Sequence, residues 1–285
     1  MPASPGDALL QIGPVVLRWY PLLIALGIFA AIHLLGRELE RKGYESELAS
    51  NMAIIVVPSA IVGARIYHVV TTYERYADDW VAALQIWRGG IGMPGAVIGG
   101  AIALWLSARY CGIPWPLAFD GIAPGLILAQ AIGRWGNYFN QELFGGPTTL
   151  PWGLAIDPRF RPGDFAEVTH FHPTFLYESL WNLGLFLLLW YLRPLDRWWP
   201  RGTATLIYLV GYGLVRFWLE TVRIDPAMLL GPWQLGTDLT LGPWRPNQVT
   251  SSVTLLVFGP WLGYHLWRSW RTHGPPSLGA QRLPT

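Results

Sequence analysis

The sequence is poor in charge. Only 13% of its 285 residues are charged, whereas 52% are hydrophobic and the mean hydropathy is +0.31. Soluble domains carry about 25% charged residues, so this composition excludes an ordinary soluble protein and indicates several membrane-spanning segments. The net charge of +2 is too small to argue for a nucleic-acid partner.

Cysteine is almost absent. Cys111 is the only one, which excludes an internal disulfide and a cysteine-based metal cluster. The motifs G-x-S-x-G and H-E-x-x-H do not occur, and no apolar segment holds a carboxylate pair suited to an aspartyl protease. His170 and His172 form a possible metal pair, but no third ligand is evident in the sequence, so we expect no metal site.

Glycine is concentrated at residues 89–100, which contain the pattern G-x-G-x-x-G. This segment does not lie between a strand and a helix, so a dinucleotide-binding interpretation fails. The segment is better explained as the start of a helix. Gly95 and Gly99 then form a G-x-x-x-G pair that allows a second helix to pack closely.

Long apolar runs dominate the remainder, and a spanning helix needs about 20 mostly apolar residues. Candidate spans cover residues 17–36, 49–72, 91–109, 115–134, 174–193, 202–222 and 248–268. We predict an all-α, polytopic membrane helix bundle of about seven transmembrane helices, with a long outer loop, 135–173, between the fourth and fifth. Residues 1–273 are expected to form a single integral membrane domain, followed by a polar tail at 274–285.

The basic residues predict the orientation. One set of loops carries most of the positive charge outside the apolar runs, and the positive-inside rule places that set in the cytoplasm. The set consists of Arg37, Arg41, Lys42, Arg109, Arg193, Arg197, Arg201, Arg268 and Arg271. The N-terminus and the loop 135–173 then face outward, and the C-terminus is cytoplasmic. Several outer arginines lie inside or at the ends of apolar runs, where we expect site residues rather than topology signals.

The most unusual segment is 133–142, Gly-Arg-Trp-Gly-Asn-Tyr-Phe-Asn-Gln-Glu, which follows directly on an apolar run. Charge at membrane depth is costly and usually marks a substrate site. A guanidinium beside three amides and a carboxylate suits a phospholipid head group. Arg134, Asn137 and Gln141 share one face if the helix continues through them. Gly136 makes a helix end or a re-entrant turn equally compatible with the sequence.

A second polar cluster lies near the end of the sixth apolar segment. Arg216, Glu220 and Arg223 are spaced i, i+4, i+7 and form a stripe on one helix face. Arg216 and Glu220 are compatible with a structural ion pair or with a substrate site. Arg223 is expected to be functional, because one glutamate cannot neutralise two arginines. Glu178 lies at the start of an apolar run, where a charge is costly, and it is therefore expected to be functional.

Arg65 and His68 are spaced i, i+3 in the second apolar segment. A neutral histidine at membrane depth is often a satisfied core residue. The functional alternative is a proton acceptor near a bound anion.

These motifs resemble the prolipoprotein diacylglyceryl transferases of the bacterial plasma membrane, over about residues 12–268. The 133–142 segment with Gly145 is the most specific match. Further matches in the same order are Trp19-Tyr20; Gly63-Ala64-Arg65; Trp87 with Gly89-Gly90; His172-Pro173-Thr174 with Leu176-Tyr177-Glu178; Arg216-Phe217 with Glu220, Arg223 and Asp225; and Asn247-Gln248.

The resemblance implies transfer of the diacylglyceryl group of phosphatidylglycerol to the lipobox cysteine of prolipoprotein signal peptides. The products are a thioether and glycerol phosphate, and no metal or organic cofactor is expected. The catalytic candidates are Arg134, Arg223 and His68. The substrate-binding candidates are Arg134, Asn137, Asn140, Glu142, Gly145, Tyr20, Arg65, Glu178, Arg216, Glu220 and Gln248. We predict that Arg134 and Arg223 converge on one phosphate, and that loop 135–173 caps the site and admits the peptide.

One position departs from the family pattern. Many members carry a histidine in the glycine-rich motif, where this chain has Pro94, which cannot accept a proton. Either His68 replaces that histidine, or no side chain is essential as a base because a cationic site already favours the thiolate. We favour the second hypothesis.

A transporter or flippase for an anionic phospholipid is the alternative function, since it would use the same arginines. Secondary transporters commonly contain symmetry-related halves. We find no internal repeat between the two halves of this sequence, so we favour the enzyme.

Overall fold

The computed structural model describes residues 1–77, 79–224 and 245–273. These residues contain seven α-helices, which confirms the predicted all-α class. They are α1 (Trp19–Arg41), α2 (Glu47–Thr71), α3 (Met93–Tyr110), α4 (Trp115–Asn140), α5 (Thr174–Leu192), α6 (Thr203–Leu219) and α7 (Pro246–His273). The predicted tail, 274–285, and Asp225 lie outside the described residues.

Four of the described helical segments are long and apolar enough to cross a membrane, and α6 is a shorter apolar helix. The four are Trp19–Arg41, Glu47–Thr71, Trp115–Asn140 and Thr174–Arg197. The chain is therefore a multi-pass membrane protein. Prolines inside α2, α4 and α7 are compatible with this class, because neighbouring groups in a membrane bundle satisfy the freed backbone.

The described residues form two compact units. One contains residues 1–31, 122–224 and 247–273, and we call it the site unit; the second contains residues 32–121. The predicted single domain over residues 1–273 stays a prediction.

Glycines allow α2 and α3 of the second unit to pack closely. A Cβ atom at Gly63 would overlap the carbonyl oxygen of Gly95, and a Cβ at Gly95 would overlap that of Gly63. A Cβ at Gly99 would lie 2.6 Å from the Ser59 carbonyl oxygen. The predicted role of Gly95 and Gly99 in close helix packing is confirmed, because no larger residue fits at either position.

The chain begins with a β-hairpin that the sequence analysis missed. Strands β1 (Ala8–Ile12) and β2 (Val15–Arg18) are antiparallel, and Gly13 turns between them with φ +58°. Every residue of both strands is exposed, and nearly all are apolar. Both faces of the hairpin are apolar, so the polar–apolar alternation that predicts a strand is absent.

The long loop between α4 and α5 is ordered by its own small core. Phe144, Leu154, Ile156 and Phe171 are buried together with Phe175 of α5. Strand β3 (Leu154–Ala155) pairs with β4 (His170–Phe171). The predicted loop is present but begins at residue 141 rather than 135, because α4 extends through Asn140.

Candidate active site

The last turns of α4 place the 133–142 segment. The helix continues through Gly136, and glycine is needed there because the Tyr20 ring occupies the space of a Cβ. Arg134 and Asn137 therefore share one helix face. Gln141 has φ +51° and lies just outside the helix, where its side-chain oxygen accepts a hydrogen bond from the Asp157 backbone at 2.8 Å. The helix thus continues past Gly136 to Asn140 and ends before Gln141, so the three predicted residues do not all share one helix face.

A buried ion cluster joins α4, α5 and α6 in the site unit. The Glu178 side chain is 3% exposed, and one of its oxygens lies 2.7 Å from Arg134 Nη2. Its other oxygen lies 3.4 Å from Arg216 Nη1. The Tyr212 hydroxyl donates to Glu178 at 3.3 Å. One carboxylate thus holds two guanidinium groups together in an environment largely shielded from water.

A second carboxylate extends the cluster towards α7. Glu220 is buried, and its Oε2 lies 3.7 Å from Arg216 Nη2. The Asn247 side chain donates to both oxygens of Glu220 at 3.3 Å, and Gln248 beside it is also buried. Two glutamates formally balance Arg134 and Arg216. Arg223 is one turn beyond Glu220 in sequence.

The loop after α4 meets Arg223 through the backbone. Gly145 and Arg223 form an isolated antiparallel bridge, and the Gly146 N–H donates to the Val222 carbonyl at 2.9 Å. A Cβ at Gly145 would lie 2.8 Å from His172 Cβ. Gly145 is therefore a close-packing position that ties the loop to the end of α6.

Amide side chains connect Arg134 to Glu142. Arg134 Nη1 donates to Asn137 Oδ1 at 3.4 Å, and Asn137 Nδ2 donates to Glu142 Oε1 at 2.9 Å. Asn140 Nδ2 donates to the same oxygen at 3.1 Å. Tyr20 lies close enough to Glu142 and Arg134 to interact electrostatically with both. The predicted residues of this segment therefore form one continuous polar network.

Arg65 belongs to the second unit and is buried. All five of its N–H donors meet backbone carbonyls. The acceptors are Ala82, Ala83, Gln85, Gly89 and Gly90. A guanidinium engaged in this way has no donor left for a phosphate. The geometry favours a positioning role for Arg65 over the predicted substrate contact, because it fixes the segment that leads into α3.

His68 also belongs to the second unit. Its ring meets the edge of Tyr76, with centroids 6.1 Å apart. Its Nε2 atom is buried, and no described residue forms a hydrogen bond with it. A Cβ at Gly90 would overlap this ring, so glycine at that position lets the segment before α3 pass directly over the histidine.

Replacement of Arg65 by methionine should strongly destabilise the protein. The change removes five hydrogen bonds from one buried cationic donor, at a cost of roughly 3 kcal/mol or more. We expect a clear fall in the thermal unfolding midpoint in detergent. Arg75→Met provides the matched control, since Arg75 is exposed in the same unit. An unchanged midpoint for Arg65→Met would contradict the positioning role.

Two residues of the cluster were not among the predicted site residues. Tyr212 lies one turn before Arg216 on the same face of α6, and that spacing was the available signal. Asn247 was noted only as part of a family motif. Its contact with Glu220 joins positions that are far apart in the sequence, so spacing alone does not reveal it.

Fold and site together define a multi-pass membrane protein with an arginine–glutamate site at the ends of its helices. Residues 7–263 match the family described as prolipoprotein diacylglyceryl transferase. The chain belongs to this family.

Several curated relatives are similar over most of the chain, and each is called phosphatidylglycerol–prolipoprotein diacylglyceryl transferase. The Synechocystis protein is 42% identical over 90% of this chain and 87% of its own length. The Thermosynechococcus vestitus protein is 42% identical over 90% of this chain and 91% of its own length. The Streptomyces coelicolor protein, numbered 2 in its name, is 44% identical over 79% of this chain and 71% of its own length.

Proposed function

We propose that the protein transfers the diacylglyceryl group of phosphatidylglycerol to the cysteine thiol of a prolipoprotein. A carbon–sulfur bond forms and the carbon–oxygen bond to the phosphate breaks. The thiol proton ends on the released glycerol phosphate or in solvent. The buried cluster of Arg134, Glu178 and Arg216 carries this proposal, and the shared name of the relatives supports it.

The cluster suits the charge that develops in this reaction. The phosphate is a monoanion in the lipid and gains charge as the carbon–oxygen bond breaks. Preorganised guanidinium groups in a water-poor site stabilise such a leaving group. Arg134 is the closest partner of Glu178, and the phosphate would share this guanidinium with that carboxylate. Arg223 follows Glu220 in sequence and its backbone pairs with Gly145 of the loop, so we retain Arg134 and Arg223 as the phosphate-binding pair that the family resemblance implies.

The polar network around Glu142 has a positioning role in this proposal. Asn137 links Arg134 to Glu142, so the guanidinium is held from two sides. A fixed guanidinium costs less entropy when the phosphate binds. Tyr20, Asn140 and Gly145 complete the lining of the site. Glu220, at the end of α6, supports Arg216 and is itself held by Asn247 of α7, beside the buried Gln248. The loop 141–173 covers the site on this side and admits the peptide.

The proton acceptor is the least constrained role. His68 is a candidate because its Nε2 is uncommitted among the described residues, and Pro94 removes the alternative. We propose that the arginines contribute more to catalysis than a general base does, because a cationic site lowers the pKa of an approaching thiol.

A pH comparison of His68→Gln with Arg223→Gln separates the two hypotheses. General-base help is typically worth 10²–10⁴-fold. If His68 is the base, its variant should lose at least about a hundredfold at pH 7 and recover as pH approaches the thiol pKa of about 8.5. We expect a loss below tenfold for His68→Gln and near-complete loss for Arg223→Gln, measured as transfer rates between about pH 6 and 9.

The bacterial plasma membrane is the proposed location, with the N-terminus outside and the C-terminus in the cytoplasm. The distribution of arginine and lysine among the loops supports this orientation. It places the outer ends of α4, α5 and α6, and with them the ion cluster, on the side where a secreted lipoprotein precursor emerges.

The direct test uses purified protein, phosphatidylglycerol and a synthetic lipobox peptide. Mass spectrometry should detect a peptide with one added diacylglyceryl group and equimolar glycerol phosphate. A peptide with serine in place of cysteine is the control and should stay unmodified. Movement of labelled phosphatidylglycerol across vesicles without any adduct would instead support the transporter.

A further inference from the structure

A polar cleft opens on the site unit beside the ion cluster. Its volume is about 590 Å³, within the range of clefts that bind small ligands and short peptide segments. Its walls combine the segment before β1, the start of α1, the end of α4 and the loop that follows. They include Tyr20, Asn140 and Glu142 near the ion cluster, and Asp157, Arg159 and Phe160 at the outer end.

Tyr20 forms one side of the cleft and lies near Arg134. Tyr20 packs against Gly136, half a turn beyond Arg134 on α4. From Arg134 to Asn140 the helix rises roughly 9 Å. An extended peptide covers this distance with about three residues. The cleft therefore extends from Tyr20, beside Gly136, to the loop that follows α4.

The cleft offers both donors and acceptors, and its donors include the Arg18 guanidinium and Gln141 Nε2. Among the described residues, none forms a hydrogen bond with Asn140 Oδ1, Glu142 Oε2 or the Tyr20 hydroxyl. Glu142 Oε1 is already held by two amides, which fixes the direction of the other oxygen. Donors and acceptors side by side suit a peptide main chain, which offers both N–H and C=O groups. The lining carries three carboxylates and two guanidinium groups, so its net negative charge disfavours a second phosphate.

The outer end of the cleft carries fixed charges and an aromatic surface. Arg159 donates to both oxygens of Asp157 at 3.1 Å, and these hydrogen bonds lower the pKa of that carboxyl. Phe160 is 47% exposed and lies under the Arg159 guanidinium, 5.7 Å from its ring centroid. An exposed ring at the end of a polar cleft offers a surface on which an extended chain can pack.

We propose that this cleft binds the main chain of the residues that directly follow the acceptor cysteine. The inference rests on the proposed function. It assigns to the cleft the segment that must pass from the thiol, at the depth of Arg134, into water. Backbone N–H groups of an extended peptide supply the donors that Asn140 and Glu142 accept. The site consequently recognises the first three or so residues through their backbone rather than through their side chains.

The test combines modified peptides with a wall variant. Methylation of the backbone nitrogen at the second or third residue after the cysteine removes one donor. It should raise the peptide KM about 2- to 13-fold, the usual value of one hydrogen bond. Methylation at the eighth residue, beyond the cleft, should have no effect. Phe160→Ala should raise the peptide KM by a similar factor and leave the KM for phosphatidylglycerol unchanged.

Controls distinguish this proposal from the proposed function. Leu150→Ala changes another exposed side chain of the same loop outside the cleft and should leave both KM values unchanged. Equal peptide KM values for all methylated peptides would overturn the assignment. A rise in the lipid KM alone for Phe160→Ala would also overturn it, by assigning the cleft to the lipid head group. Absence of any adduct with the unmodified peptide and wild-type protein would instead overturn the proposed function.

Discussion

Replacement of Arg134 by glutamine should reduce transfer about 100- to 1,000-fold, the usual effect of removing one donor from a developing negative charge. The guanidinium lies 2.7 Å from Glu178 and is held by Asn137, so it is already oriented before lipid binds. Glutamine keeps a hydrogen-bond donor but loses the charge. Arg134→Lys should recover only part of the rate, because an ammonium cannot replace a planar fork. Transfer rates under single-turnover conditions are the appropriate measurement.

A double variant tests whether Arg134 and Arg223 act on one phosphate. If both contact the same group, the losses of Arg134→Gln and Arg223→Gln should combine to clearly less than the product of the single effects. Full multiplicativity would show that they act on separate groups. Arg271→Gln is the control, since Arg271 is exposed on α7 and packs over Trp267. It should transfer at the wild-type rate.

Replacement of Glu178 by glutamine should be the most destabilising single change in the site. Glu178 accepts contacts from Arg134, Arg216 and Tyr212 and is almost fully buried. Its removal leaves two guanidinium groups near each other without the carboxylate between them. Removal of one partner from a buried ion pair typically costs about 3–5 kcal/mol. We expect a large fall in the thermal unfolding midpoint and loss of transfer.

The effect of added anions on the unfolding midpoint provides a second measurement for Glu178→Gln. With Glu178 neutral, the remaining positive charge should be stabilised by a bound anion. Added phosphatidylglycerol or phosphate should therefore raise the midpoint of Glu178→Gln more than that of the wild type. Glu167→Gln changes an exposed glutamate in the outer loop and should alter neither quantity. A Glu178→Gln protein with wild-type stability would show that the cluster is not a mutual neutralising unit.

The class of fold followed from composition and from long apolar runs, because burial in lipid imposes length and hydrophobicity on each helix. The same logic located Arg134, Glu178, Arg216 and Glu220, since charge within an apolar run is costly and conspicuous. The close helix packing at Gly95 and Gly99 could also be predicted from the sequence, because only small residues let two backbones approach. Each of these features depends on a short stretch of sequence and on the apolar interior of the membrane as its surroundings.

Other features depended on contacts between distant segments. Gly136 suggested a helix end, but the ring of Tyr20 explains why glycine is needed inside a continuing helix. The sequence suggested that Arg65 binds an anion, because it does not show where the guanidinium donates its hydrogen bonds. In the structure, five backbone carbonyls of the segment 82–90 accept them. The hairpin before α1 was missed because it is apolar on both faces.

The sequence by itself thus determined the membrane class, the helices and the charged residues that the membrane makes expensive. Only the tertiary structure decided their partners. It joined Arg134 and Arg216 through Glu178, linked Glu220 to Asn247, and placed five backbone carbonyls around the Arg65 guanidinium. The physical reason is that the energy of a buried charge depends on which groups lie within a few ångströms of it, and folding brings those groups together from across the chain.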